Sequence, residues 1–137
     1  MSLFTVHKET LEKLWPHALP HLERFAKETL LASPEDIKRD ISEGEKQLWM
    51  VEKGGRVVAV AVTLFYETLR GRVCTIWAAC GDSGIEEIKT TFPEIENWAE
   101  SIGCVAVEIR GRKGWKRVLE GYAETGILLE KSLIRIH

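Results

Sequence analysis

The chain has 137 residues, 45% of them apolar and 29% charged, which fits one soluble globular domain able to build its own core. No apolar run reaches bilayer length, and the N-terminus MSLFTVHKETLEK lacks a basic stretch followed by an apolar one, so neither a membrane span nor a signal peptide is expected. The net charge of −2 hides an asymmetry: five of the eight residues from Arg110 to Arg117 are basic, and without them 14 basic groups face 21 acidic ones, a net of −7. Such a body would repel a phosphate backbone, so nucleic acid is not expected as a partner of the whole surface, although one basic corner remains. Cys74, Cys80 and Cys104 all lie in apolar runs and form no CxxC pair, which suits reduced core thiols in a cytosolic protein. The four histidines show no metal-ligand spacing.

Leu3 to Val6 reads as a short first strand. From His7 to Leu31 the apolar positions Leu11, Leu14, Trp15, Ala18, Leu22, Phe25, Ala26 and Leu30 recur at threes and fours. Pro16 and Pro20 interrupt the pattern, so two short helices are expected there rather than one long one. Ser33-Pro34-Glu35-Asp36 is a helix start, with Ser as N-cap, Pro at the first helical position and acids in the first turn; that helix runs to about Glu43 and stops at Gly44.

The period then changes to two. Gln47 to Glu52 is a strand, Lys53-Gly54-Gly55-Arg56 a hairpin turn, Val57 to Tyr66 a second strand and Val73 to Cys80 a third. These three should form an antiparallel meander whose middle strand is buried on both faces. After Gly81-Asp82-Ser83-Gly84 comes a helix, with Ser83 and Glu86 spaced as a capping box. Its apolar stripe, Ile85, Ile88, Phe92, Ile95, Ala99 and Ile102, runs straight across Pro93. One kinked helix from Ser83 to Ile102 is therefore preferred over two abutting ones. Val105 to Ile109 is a fourth strand, Lys113 to Leu119 a short helix and Gly126 to Ile136 a last strand. A helix between the third and fourth strands lets them lie parallel by a right-handed crossover. The result is an α/β fold, with a mixed, mostly antiparallel sheet flanked by helices in the order α-α-β-β-β-α-β-α-β.

This order, with the Gly81 turn entering a helix and Gly121-Tyr122 near the end, resembles the GNAT N-acetyltransferase superfamily. It is closest to the short GNAT-like proteins of tailed phages and prophages. The marks are Leu48-Trp49, Thr75-Ile76-Trp77, Trp98-Ala99 with Gly103, and above all Gly111-Arg112-Lys113-Gly114-Trp115. The resemblance implies a gap between the strand ending at Cys80 and the strand at Val105 to Ile109, with acetyl-CoA lying in it. On that reading Trp77, Ala78, Ala79, Cys80, Gly81, Ser83, Gly84, Arg112 and Trp115 would meet the cofactor, and a small-molecule or protein amine would accept the acetyl group in a bacterial cytoplasm.

This sequence departs from the family pattern in two places. Gly81, Ser83 and Gly84 supply the turn's anion-binding geometry, but the turn is shorter than the family's, lacks its Arg and carries Asp82, Glu86 and Glu87, acids that can cap the helix themselves and oppose a pyrophosphate. Arg117 stands where many members have a catalytic Tyr. Tyr66 and Glu67 are the remaining catalytic candidates, and Tyr122 reads as packing. Cys80, at a strand end beside a helix start, is a candidate low-pKa thiol, but without a neighbouring histidine it reads as structural. The basic corner can be plain architecture, an anion or CoA contact, or a nucleic-acid patch. The alternative to an enzyme is a catalytically silent GNAT fold with a structural, assembly or host-interaction role. Its partner would be a phage or host protein, perched on an exposed apolar patch or a symmetric interface, with virion association and oligomerisation open to it.

Overall fold

The computed structural model describes residues 2–27, 32–83, 86–109, 121–123, 131 and 133. The expected short helix from Lys113, most of the final strand and the basic corner lie outside these residues.

Five strands form one sheet in sequence order: β1 (Ser2–Thr5), β2 (Gln47–Lys53), β3 (Arg56–Thr68), β4 (Gly71–Gly81) and β5 (Cys104–Ile109). The first three pairings are antiparallel and β4 with β5 is parallel, as a helical crossover allows. The turn between β2 and β3 holds Gly54 at φ +61° and Gly55 at φ +76°, the double left-handed geometry of a two-residue hairpin.

Two helical layers sandwich the sheet. On one face α1 (Leu11–Ala26) and α2 (Pro34–Ser42) bury Leu11, Trp15, Ala18, Leu22, Ile37 and Ile41 against Leu48, Met50, Val60 and Val62. On the other, α3 (Glu86–Lys89) and α4 (Phe92–Ser101) bury Ile88, Phe92 and Ile95 against Trp49, Val51, Ala59, Ala61 and Ile76. Residues 58–63 of β3 feed both layers and are buried throughout. Trp49 and Trp98 meet edge to face with centroids 5.2 Å apart, and the buried Trp49 indole donates to Thr63 Oγ1 at 2.9 Å.

Two sequence expectations are corrected. Leu11–Ala26 is a single helix through Pro16 and Pro20, not two short ones. The prolines are four residues apart, so they share one face, and that face is exposed; the carbonyls they leave unpaired face water rather than the core. Conversely, the segment after β4 is two helices, not one kinked rod. Pro93 cannot donate to the preceding turn, so α3 ends at Lys89 and α4 restarts with Pro93 in its first turn. Thr91 bridges the break, its N–H reaching Ile88 O at 2.8 Å and its carbonyl accepting from Glu94 at 3.0 Å. The apolar stripe survives because both helices present the same side to the sheet. The Ser33 cap is as expected, its hydroxyl accepting from Asp36 N at 3.2 Å.

Candidate active site at the fork between β4 and β5

Among the described residues, β4 pairs with β5 from Arg72↔Cys104 to Ile76↔Ile109, where the described part of β5 ends, while β4 continues to Gly81. At the same level the pairing of β3 with β4 slips, from Thr63↔Ile76 to Val62↔Ala78, leaving Trp77 as an extra residue. This is a β-bulge, which bends a strand and increases its local twist. It also puts two consecutive side chains on one face: Trp77 and Ala78 pack with the α1 layer, Ala79 with the α4 layer and Cys80 with α1 again. The bend in β4 thus follows Ile76, where the described pairing with β5 ends, and this point is the fork. Beyond it, Trp77, Ala78, Ala79 and Gly81 have no register partner on β5 among the described residues. Trp77 does not project between the strands. Its indole meets Phe25 edge to face at 5.1 Å and lies 4.9 Å beneath the Lys46 ammonium.

Below the fork, on the α1 side, three polar side chains converge. Thr75 and Glu108 are register partners, and alternation places both opposite the face that carries Ile76, Val107 and Ile109. The Tyr66 hydroxyl donates to Glu108 Oε1, and Thr75 Oγ1 approaches the same oxygen at 3.4 Å. This hydrogen bond, followed by desolvation and the nearby negative charge, raises the Tyr66 phenol above its ordinary value. Tyr66 thus stays protonated as a donor. Glu67, the next residue, points to the other face, where Arg72 Nε donates to it at 2.6 Å and Arg72 also holds Ile102 O at 3.0 Å. The two catalytic candidates from the sequence therefore lie on opposite faces, and Glu108, which the sequence reading passed over, is the carboxylate beside Tyr66.

The turn after β4 is largely self-satisfied. Asp82 N–H donates to Val58 O at 2.9 Å. Ser83 N–H is shared by both oxygens of Glu87 at 3.2 Å, so the acid that reaches back is Glu87 and not Glu86, which instead pairs with Lys89 at 3.1 Å. The Asp82 carboxylate is drawn towards the α1 side by Arg56 at 2.5 Å and Arg24 at 3.5 Å. Behind it the buried His21 ring bonds Val57 O at 3.2 Å and Arg24 at 2.5 Å. Gly84, Arg112 and Trp115 lie outside the described residues.

The cysteines form no disulfide. Burial pushes the Cys74 thiol up to about 12 and also raises Cys104. Tyr122 packs half-buried, donating to Glu96 at 2.6 Å, and its phenol is raised by burial and then by that carboxylate. Phe65, Leu69 and Val105 are the exposed apolar side chains near the β3–β4 turn. Among the described residues no cluster of three or more His, Cys, Asp or Glu could hold a metal, and no helix is long and apolar enough to cross a membrane.

No family profile and no curated protein matches the sequence. Solved structures do match the fold along nearly its whole length. An aminoglycoside acetyltransferase from an uncultured soil metagenomic sample, solved with sisomicin, superposes with a TM-score of 0.74 at 10% identity, covering 98% of this chain and 96% of that one. A GNAT family acetyltransferase of Staphylococcus aureus gives 0.67 at 14% identity, covering 97% and 100%. An acetyltransferase predicted in Clostridium acetobutylicum, solved with acetyl-CoA, gives 0.67 at 17% identity, covering 96% of each chain. The fold is that of the GNAT acetyltransferases: a single α/β domain with a five-stranded mixed sheet between helical layers.

Proposed function

We propose that this protein is an acetyl-CoA-dependent N-acetyltransferase, with Glu108 as its general base. The observation that carries the reading is the fork. Among the described residues β4 runs five residues past its last pair with β5, and a carboxylate held by two hydroxyl groups lies one pair below that point. A free strand edge suits a ligand that is itself an extended chain of amides, because such a chain can complete the missing backbone hydrogen bonds. The pantetheine arm of acetyl-CoA has that character, so the stretch of β4 beyond Ile76 suits it. The bound thioester would supply the activated acetyl group.

The chain's own residues do the rest. Tyr66 and Thr75 orient the Glu108 carboxylate towards the α1 side, where an acceptor ammonium can lose a proton to it. The Trp77 bulge bends β4 just past the pair that follows Glu108, and a bound thioester would supply its acyl group on that side. Ser83 and Gly84 would face the diphosphate once the Glu87 carboxylate swings off Ser83 N–H. Arg112 and Trp115 would contact the remainder of the cofactor. The acceptor is an amine, and the phage-type assignment rests on the sequence motifs.

Isothermal titration of the purified protein with acetyl-CoA tests the reading. Saturable micromolar binding is the expected result. If millimolar acetyl-CoA produces no binding heat, the fork is no cofactor site and Glu87 is a permanent cap, which leaves the silent-scaffold alternative.

A further inference from the structure

A cleft of about 430 Å³ opens where α1 meets the start of β3 and the end of β4, and Pro16, His17, Pro20, Arg24, Arg56 and Asp82 line it. Sequence spacing builds one wall. Pro16, Pro20 and Arg24 follow one another four apart on α1 and so share a face, while His21 lies three residues before Arg24. Arg56 opens β3, and Asp82, just past β4, is brought beside it by its N–H bond to Val58 O at 2.9 Å. The Asp82 carboxylate takes Arg56 at 2.5 Å and Arg24 at 3.5 Å, so two cations converge on one anion. Each guanidinium is a fork of several N–H donors with no acceptor, more than one carboxylate can fill.

His21 fixes this arrangement from behind. Its side chain is buried, and Nε2 faces Val57 O at 3.2 Å. A carbonyl only accepts, so Nε2 carries the proton. Nδ1 is then a lone pair, and Arg24 donates to it at 2.5 Å. Asp82 Oδ1 stays 3.9 Å from the same nitrogen, beyond hydrogen-bond reach. A buried ring therefore spends its second nitrogen on holding an arginine that lines the cleft.

We propose that this cleft binds a phosphate group, with Arg24 and Arg56 as its ligands and the Asp82 carboxylate as the internal anion it displaces. Asp82 is tethered beside both arginines, so its effective concentration is high and a ligand with a single carboxylate would exchange like for like at a loss. A phosphate dianion brings a second charge and a further oxygen, enough to engage both forks at once. The cleft leaves room beyond the phosphate for the group it esterifies, which Pro16, His17 and Pro20 would meet. The site draws on no residue of β5 or Glu108, so it stands or falls apart from the acetyltransferase reading.

The test is isothermal titration of the intact protein with inorganic phosphate at constant ionic strength, repeated on four variants, with circular dichroism as the check on folding. Saturable binding is expected, weakened about tenfold or more in Arg24→Gln and in Arg56→Gln, since each removes a charge-assisted contact. Asp82→Asn should bind phosphate more tightly because the internal competitor is gone. Arg39→Gln, which alters an exposed arginine on α2, should leave binding unchanged. No saturation at millimolar phosphate in either the unaltered protein or Asp82→Asn overturns the site, as does equal weakening by Arg39→Gln. Titration with CoA and dephospho-CoA then identifies the source. A loss on Arg56→Gln confined to CoA makes the phosphate the cofactor's own, while phosphate binding undiminished by CoA assigns it to a separate ligand.

Discussion

Glu108 acquires meaning only from its neighbours. In the sequence it is one acid in a strand of alternating character, VAVEI, and such an acid is normally a solvated outward position. Its partners Tyr66 and Thr75 are 42 and 33 residues away and meet it only through the pairing of β3 with β4 and β4 with β5. Tyr66 was legible as a candidate because it ends an apolar run, but the companion assigned to it, Glu67, necessarily faces the other way in a strand. If Glu108 is the base, Glu108→Gln should lower acetyl-CoA-dependent thiol release by about 100- to 1,000-fold while leaving acetyl-CoA affinity nearly unchanged. Tyr66→Phe should lose less, because the carboxylate keeps its charge and loses only an orienting donor. The sign of the Tyr66 shift matters for the pH profile. A raised phenol keeps its hydrogen bond to Glu108 fully below the ordinary value of 10.0 and loses it only as pH rises past the shifted one. An alkaline fall in rate near neutrality would therefore belong to another group, and equal losses in kcat and binding for Glu108→Gln would count against its role as base.

Among the elements, those governed by local chemistry were readable: the Ser33 cap, the Gly54-Gly55 hairpin, and the change of period at Gln47. The misjudged ones depended on surroundings. Whether a proline breaks a helix depends on which way its unpaired carbonyls face, and α1 turns both towards solvent. A gap beside β4 is implied only by the resemblance, and the one-residue bulge at Trp77 leaves no mark on an apolar run. Gly71 starts β4 at φ +131°, and a Cβ built there would lie 2.7 Å from Val105 Cγ1 on β5. Gly71→Ala should therefore cost about 2–3 kcal/mol, from strained backbone together with a clash against the neighbouring strand. Gly54→Ala, at φ +61° with open space around it, should cost about 1 kcal/mol. Chemical denaturation compares the two. Adding Val105→Ala to Gly71→Ala should recover only the steric part, since the dihedral strain remains; full recovery would show that the φ angle costs nothing.

At the scale of the whole molecule, the sheet is the one structural element common to both cores. The α1–α2 and α3–α4 layers pack on opposite faces, and the alternating side chains of β2, β3 and β4 enter both clusters, so removing either layer exposes apolar residues of the same strands. This linkage predicts one cooperative transition rather than two. Leu22 and Ile95 are fully buried on opposite faces. Leu22→Ala and Ile95→Ala should each cost about 2–5 kcal/mol, and the double variant about their sum, because a strand layer separates the two cavities. In urea, each variant should shift the midpoint seen by tryptophan fluorescence, which reports Trp15 and Trp77 on one side and Trp49 and Trp98 on the other, together with the midpoint seen by far-ultraviolet circular dichroism. The slope of the transition should stay constant. If Leu22→Ala instead splits the transition, the α1–α2 layer lifts from an intact sheet, and the acceptor side of the fork would then be held by a layer that opens on its own.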